Sequence, residues 1–308
     1  MNEEQVRFSI IVPTYNRSKF LKIAISSVIG QSYTNWELLI IDDGSTDDTK
    51  SLIHQFRDDR IKYVYQENSE RAVARNNGIK LVTGSYICFL DSDDYYLPNH
   101  LESFQKLIIQ KQHPVAFMVS NTFSELSGMR SKVEMFRNDY NHPVEFYWNH
   151  TILTPISVCI HHKILENNKF PENFKKAFWE DTHLWLRIMA QYQFAYNQDY
   201  TAVLSNHSER SSQRINLQRA NDHIGMMESL FRDYHSILEK YITKKMLIDK
   251  IYAKYQAFIY LARLDKNPKL GFALLKKAYT SSFSLRRTPY FIITLIKLIF
   301  AKMNIHLR

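Results

Sequence analysis

Three short apolar runs, each broken off by a polar cluster, constrain this chain more than any other feature of it. Phe8-Ser9-Ile10-Ile11-Val12 stops at Pro13-Thr14-Tyr15-Asn16, Trp36-Glu37-Leu38-Leu39-Ile40-Ile41 stops at Asp42-Asp43-Gly44-Ser45, and Tyr86 to Leu90 stops at Asp91-Ser92-Asp93-Asp94. Near-continuous apolar runs of this length read as strands buried on both faces of a parallel sheet. Helix signals separate them. Leu21, Ala24, Ile25 and Val28 fall at i, i+3, i+4, i+7, a polar helix is expected after Thr46, and another over Ala72 to Val82, with a further strand at Ile61 to Tyr65. This alternation predicts an α/β fold with a mainly parallel sheet flanked by helices.

Composition removes several other classes. Apolar residues at 45% and charged residues at 23% of 308 positions argue against a largely disordered chain and against a polytopic membrane protein. Cys88 and Cys159 stand far apart with no C-x-x-C pair, so neither a disulfide framework nor a zinc site is expected. The start, with Glu3, Glu4 and Arg7 before a short apolar run, does not read as a secretory signal. From about Asn216 the pattern turns helix-periodic, which predicts a domain over residues 1–215 and a helical C-terminal region over 216–308.

In open α/β sheets, ligands bind beyond the carboxyl ends of the strands. The three polar clusters therefore project onto one edge, where four or five carboxylates would repel one another unless a divalent cation or a donor-rich ligand sat among them. Oxygen ligands favour Mg²⁺ or Mn²⁺ over zinc. Taken singly, Asp and Ser after strands also start turns and cap helices. Neither a G-x-x-x-x-G-K-[ST] loop nor a G-x-G-x-x-G fingerprint accompanies the sheet, so a diphosphate bound here would need a metal.

Five stretches, in order and spacing, resemble the inverting glycosyltransferases of family 2, with the GT-A (Rossmann-like) nucleotide-diphospho-sugar transferase fold. They are Ile10 to Arg17, Ile40 to Asp47, Ala74-Arg75-Asn76-Asn77-Gly78-Ile79, Phe89 to Asp94, and Trp179-Glu180-Asp181-Thr182-His183-Leu184-Trp185-Leu186-Arg187. The resemblance covers roughly residues 7–215. It implies a metal-dependent transfer from a UDP-sugar to a hydroxyl of a glycan or lipid-linked glycan, in bacterial surface polysaccharide or oligosaccharide synthesis. Pro13, Tyr15 and Asp42 would line the base, with Asp42 accepting from a uracil imide, and Arg75 would lie near the diphosphate. Asp91 would stand near the ribose and a metal-bound water, and Asp93 would ligate Mn²⁺ or Mg²⁺.

The same resemblance makes Asp181 the base that deprotonates the acceptor, with Glu180, Asp94 and Arg71 around these groups. Asp is also a frequent N-cap, and Leu184, Trp185, Ile188 and Met189 read as the buried face of a helix starting there, so capping is the plain alternative for Asp181. His207 lies where many relatives carry a metal- or diphosphate-completing histidine, although Leu204-Ser205-Asn206 precedes it here in place of Tyr-Arg. Relatives often carry a glycine about four residues before the A-R-N, where Glu70-Arg71 stands here, and Arg71 is a second diphosphate contact or a solvated charge.

The net charge of +9 is uneven: residues 240–308 hold 15 of the 40 Lys/Arg and 2 of the 31 Asp/Glu, leaving 25 against 29 before them. Paired cations at Lys244-Lys245, Lys276-Lys277 and Arg286-Arg287 precede a mostly apolar run ending near Ala301. Such a stretch suits in-plane contact with an anionic membrane surface, and the expected location is cytoplasmic, peripheral at the inner face of the membrane. Packing on the catalytic domain, or a homodimer contact, is the alternative. Nucleic acid is not an expected partner, no motif for it being present. A nucleotidyltransferase of the same fold would show a Gly-rich start that Val12-Pro13-Thr14-Tyr15-Asn16 is not. A catalytically inactive sugar-nucleotide binder, or a nucleic-acid binder using the basic tail, would keep the fold without the chemistry.

Overall fold

A computed structural model describes residues 5–137, 142–150, 153–174, 179–210 and 216–264, together with 269, 270, 273, 274 and 276. Contacts within the chain divide it into two units, one of residues 1–175 and 180–208, the other of 176–179 and 209–308.

In the first unit the strands are β1 (Phe8–Thr14), β2 (Trp36–Asp42), β3 (Ile61–Tyr65), β4 (Tyr86–Phe89), β5 (Tyr95–Tyr96), β6 (Ala116–Leu126), β7 (Met129–Val133), β8 (Val158–His161) and β9 (Gln193–Asn206). The helices are α1 (Ser18–Ile29), α2 (Thr49–Ile53), α3 (Arg71–Ile79), α4 (His100–Gln110), α5 (Pro143–His150), α6 (His162–Glu166) and α7 (Glu180–Met189). All these strands join one sheet of order β3-β2-β1-β4-β8-β6-β9-β5, with β7 pairing β6. The first four run parallel, as the buried apolar runs predict. Beyond them β8 runs against both β4 and β6, and β6 runs parallel to β9. Two reversals restore the original direction, so β6 and β9 finish at the same edge as β1, β2 and β4.

The core follows from the runs themselves. Phe8, Ile10, Val12, Leu38, Ile40 and Cys88 pack against Leu21, Ala24, Ile25 and Val28 of α1, the stripe that the helical spacing predicts. Each fully buried aliphatic side chain contributes about 1.5–3 kcal/mol. Cys88 and Cys159 are register partners across β4 and β8, both buried and not joined by a disulfide. On the opposite face α3 lies so close that a Cβ on Gly78 would come 2.6 Å from Ile11 Cγ2. This close approach requires glycine and fixes how far α3 stands from β1. The helix ends at Ile79, and Lys80 to Val82, expected within it, form the turn into β4.

The second unit contains α8 (Leu217–Leu238) and α9 (Lys244–Leu264). Asn216 caps α8, its side chain accepting from the Arg219 amide at 2.9 Å, and Tyr234 interrupts the helical backbone near its end. Ala220, Ile224, Met227 and Leu230 on α8, and Leu247, Ile251 and Tyr255 on α9, are buried. Burial also holds the Lys250 and Lys254 ammonium groups below the usual lysine range. The apolar run 289–301 and the Arg286-Arg287 pair lie outside the described residues. Among the described residues no helix is long and apolar enough to cross a membrane.

Candidate active site

The loops after β1 and β2 are stapled together. Asn16, with φ 51°, donates its amide to Ser45 Oγ at 2.9 Å and accepts from the Thr46 amide at 2.8 Å. The Asp43 amide donates to Thr14 O at 2.9 Å. Gly44, at φ +85°, supplies the left-handed turn between them, a conformation that glycine adopts without penalty. Pro13 is buried within β1 beside Ile41. Tyr15 leaves the loop half exposed, at 49%, and its ring is free to stack on a planar ligand. Asp42, at the end of β2, is buried; its Oδ1 accepts from the Ser45 amide and its Oδ2 from the Tyr63 phenol, each at 2.8 Å. Burial and the Asp42 carboxylate together raise the Tyr63 phenol well above its ordinary value.

The loop after β4 is tied to the end of β9. Asp94, buried, accepts from the Ser205 amide at 2.8 Å, and one residue earlier Asp93 Oδ2 stands 3.2 Å from His207 Nε2. Phe20 of α1 stacks on the His207 ring, centroids 4.4 Å apart, and fixes its plane. Among the described residues no three His, Cys, Asp or Glu side chains form a metal-binding group. Two converging donors nevertheless match a Mg²⁺- or Mn²⁺-type ion, which commonly takes one or two protein ligands and completes its shell with water and substrate phosphates. On this geometry Asp93 and His207 are the residues that would hold it.

Asp91, two residues before Asp93, points to α3. Its Oδ1 accepts from Arg75 Nη2 at 2.7 Å, and Arg75 Nη1 reaches Glu180 Oε1 at 2.9 Å. Arg75 is 1% exposed, its guanidinium lies 5.3 Å from the Phe170 ring centre, and both terminal nitrogens are occupied by carboxylates. These two bonds use two of the five N–H groups of the guanidinium, so they leave room for the diphosphate contact that the family pattern suggests for Arg75. Arg71, one turn earlier and less buried, reaches the same Glu180 oxygen at 3.1 Å.

Glu180 and Asp181 open α7, so Asp181 sits inside the first turn and not at the cap. Its hydrogen bonds among the described residues all fall on Oδ1, from the Thr182 amide at 2.6 Å and the Thr182 hydroxyl at 3.4 Å. Oδ2 accepts from none of the described residues. Burial first, and the Glu180 carboxylate second, push the Asp181 carboxyl up to about 7 against the opposing pull of Arg75, the Thr182 amide and Arg71. A carboxylate poised near neutrality suits a general base. Tyr147 of α5 closes the far side, its hydroxyl 2.7 Å from Thr182 Oγ1.

Tyr63 and Phe20 escape sequence reasoning. The signal for Tyr63 is its register: it lies opposite Ile40, two residues before Asp42, which becomes visible only once β3 is paired beside β2.

A sheet of this topology, with the polar ends of β1, β2 and β4 on one edge, is that of a GT-A transferase. The fold matches solved structures such as Staphylococcus aureus TarS 1–349 in complex with UDP-GlcNAc, with a TM-score of 0.62 at 19% identity over 96% of this chain and 81% of that one. Residues 9–168 match the model of Glycosyl transferase family 2, and the chain belongs to that family: it is a glycosyltransferase. Similar proteins include UDP-Glc:alpha-D-GlcNAc-diphosphoundecaprenol beta-1,3-glucosyltransferase WfgD of Escherichia coli, 34% identical over 59% of this chain and 69% of that protein. GalNAc(5)-diNAcBac-PP-undecaprenol beta-1,3-glucosyltransferase of Campylobacter jejuni is 27% identical over 88% of both chains. The chain spans under a third of several longer curated relatives.

Proposed function

We propose that the protein transfers a sugar, with inversion, from a UDP-sugar to a hydroxyl of a polyprenyl-diphosphate-linked glycan in bacterial surface polysaccharide assembly. The observation that carries this reading is the open Oδ2 of Asp181, joined through Glu180 and Arg75 to Asp91 on the donor edge. The acceptor hydroxyl passes its proton to Asp181 as its oxygen bonds to the anomeric carbon, and the bond from that carbon to the diphosphate breaks, UDP keeping the electron pair. Mn²⁺ or Mg²⁺ at Asp93 and His207, when bound, supplies positive charge beside the leaving diphosphate. A carboxylate with an imidazole suits Mn²⁺ better than Mg²⁺.

UDP as the nucleotide and a lipid diphosphate as the acceptor carrier are supported by the names of the E. coli and C. jejuni relatives. Asp42 and Tyr15 form the base-binding end and Asp91 the ribose end. Residues 240–308, with their excess of 13 positive charges, bring the enzyme to the anionic inner face of the membrane, where such an acceptor resides.

Calorimetric titration with UDP, GDP, dTDP and CMP, each with and without Mn²⁺, tests the donor. Metal-dependent binding of UDP alone is expected, and binding of none of the four overturns the reading in favour of an inactive scaffold. Flotation of the full chain with anionic liposomes tests the membrane contact, which fails if the protein stays in the soluble fraction.

A further inference from the structure

We propose that Arg75 is a positioning residue for the base: it clamps Glu180 and Asp91 in one buried ion network, and so holds Asp181 in register with the donor edge. This rests on the reading of Asp181 as the base.

The geometry begins with α3. Gly78 seats the helix against Ile11, and Asn76 anchors the adjoining segment by exchanging hydrogen bonds with the Phe170 backbone, both at 2.9 Å. A helix fixed at two points delivers Arg75 to one place. From there its two terminal nitrogens meet carboxylates 16 residues away, at Asp91, and 105 residues away, at Glu180. The fork of a guanidinium is rigid, so it fixes the spacing of its two partners in a way that an ammonium cannot.

Glu180 and Asp181 are adjacent carboxylates in one helical turn, and they repel. Both arginines attach to Glu180 Oε1, while Glu180 Oε2 has no hydrogen-bond partner among the described residues. This pins Glu180 against α3 and leaves Asp181 the carboxylate directed elsewhere. Among the described residues, the charged and titratable groups that act on Asp181 are Arg71 and Arg75 on α3, Tyr147 on α5 and Glu180 beside it. Arg75 and Glu180 act on the Asp181 proton in opposite senses: the guanidinium favours the ionised form and the neighbouring carboxylate disfavours it.

The test uses this opposition on the full chain. The Asp181 carboxyl is titrated by carbon NMR, its resonance assigned by disappearance in Asp181→Asn. Arg75→Met should move the midpoint to higher pH and Glu180→Gln to lower pH. Arg75→Lys, the variant best suited to keep the fold, should still bind UDP with Mn²⁺, more weakly to the extent that Asp91 shifts. With a UDP-sugar and a polyprenyl-diphosphate-linked acceptor that the wild type turns over, it should lose roughly 10²-fold in kcat, the cost of a displaced reacting group. A role in folding alone would lower the melting temperature without splitting the two midpoints. Unmoved midpoints, or midpoints moving the same way, overturn the proposal. Full turnover by Asp181→Asn would instead sink the base assignment, whatever the midpoints do.

Discussion

The phenol of Tyr63 donates to Asp42 Oδ2 across 2.8 Å, and the Ser45 amide holds Oδ1 at the same distance. Asp42 is therefore presented with its plane fixed from two sides. Tyr63→Phe removes one of these restraints from a buried carboxylate. A hydrogen bond to a charged group is worth about 1.5–3 kcal/mol, so UDP affinity measured by calorimetry should fall roughly 10-fold or more, with kcat at saturating donor little changed.

Asp93 and His207 should separate by metal. Asp93→Ala should abolish the Mn²⁺ dependence of UDP binding. His207→Ala should keep that dependence and weaken it, with Mn²⁺ needed at roughly 10-fold to 100-fold higher concentration, the range seen when a metal site loses supporting groups. The Phe20 ring against His207 makes Phe20→Ala a milder version of the same defect. Mn²⁺ titrations in the presence of UDP distinguish the three.

Asp181 ties activity and stability to pH in opposite directions. Its carboxyl is raised from 3.8 to about 7 by burial and by Glu180, so kcat should rise through about pH 7 as the base ionises. Asp181→Asn should lower kcat by about 10²-fold to 10⁴-fold. A raised folded-state value means the protonated form suits the native state: that stability is full below 3.8 and is lost as pH rises through about 7. The Asn variant, which has no charge to bury, should therefore melt a few degrees above wild type at pH 8, and the difference should shrink towards pH 4.

Glu37 is the stability counterpart. Buried on β2, it accepts from Ser9 Oγ at 2.6 Å, Thr83 N at 2.6 Å, Thr83 Oγ1 at 2.8 Å and Lys62 Nζ at 2.8 Å. Burial alone would raise its carboxyl, but Lys62, Ser9 and Thr83 outweigh it and hold the group at about 2. Glu37→Ala strands those donors and should cost about 3 kcal/mol or more, read as a lower urea midpoint. In wild type this contribution is present above 4.5 and is lost as pH falls towards about 2.

Local pattern carries far in this chain, and its limits have a physical origin. The ends of β1, β2 and β4 are visible because apolar runs stop abruptly at Pro13, Asp42 and Asp91, and parallel register then puts those stops side by side. The route of the sheet beyond β4 is not visible, since nothing in residues 116–206 announces that β8 reverses and β6 and β9 return. The partners of Arg75 are hidden for the same reason. Glu180 lies 105 positions away, and no periodicity links a helix to a carboxylate at that distance. Asp181 is intermediate: its type and the helix after it are legible, whereas the orientation of its two oxygens belongs to the packing of α7.

Cys88 and Cys159 face each other at the seam where the parallel half of the sheet meets its first reversed strand. Both thiols are sealed in the core, so a maleimide or disulfide reagent reaches them only in molecules whose β4 and β8 have parted. Asp91 follows β4 by a single intervening residue, Leu90. The alkylation rate of two sulfurs thus counts how often the floor beneath the donor loop comes apart, and a sugar nucleotide that grips that loop should slow the count.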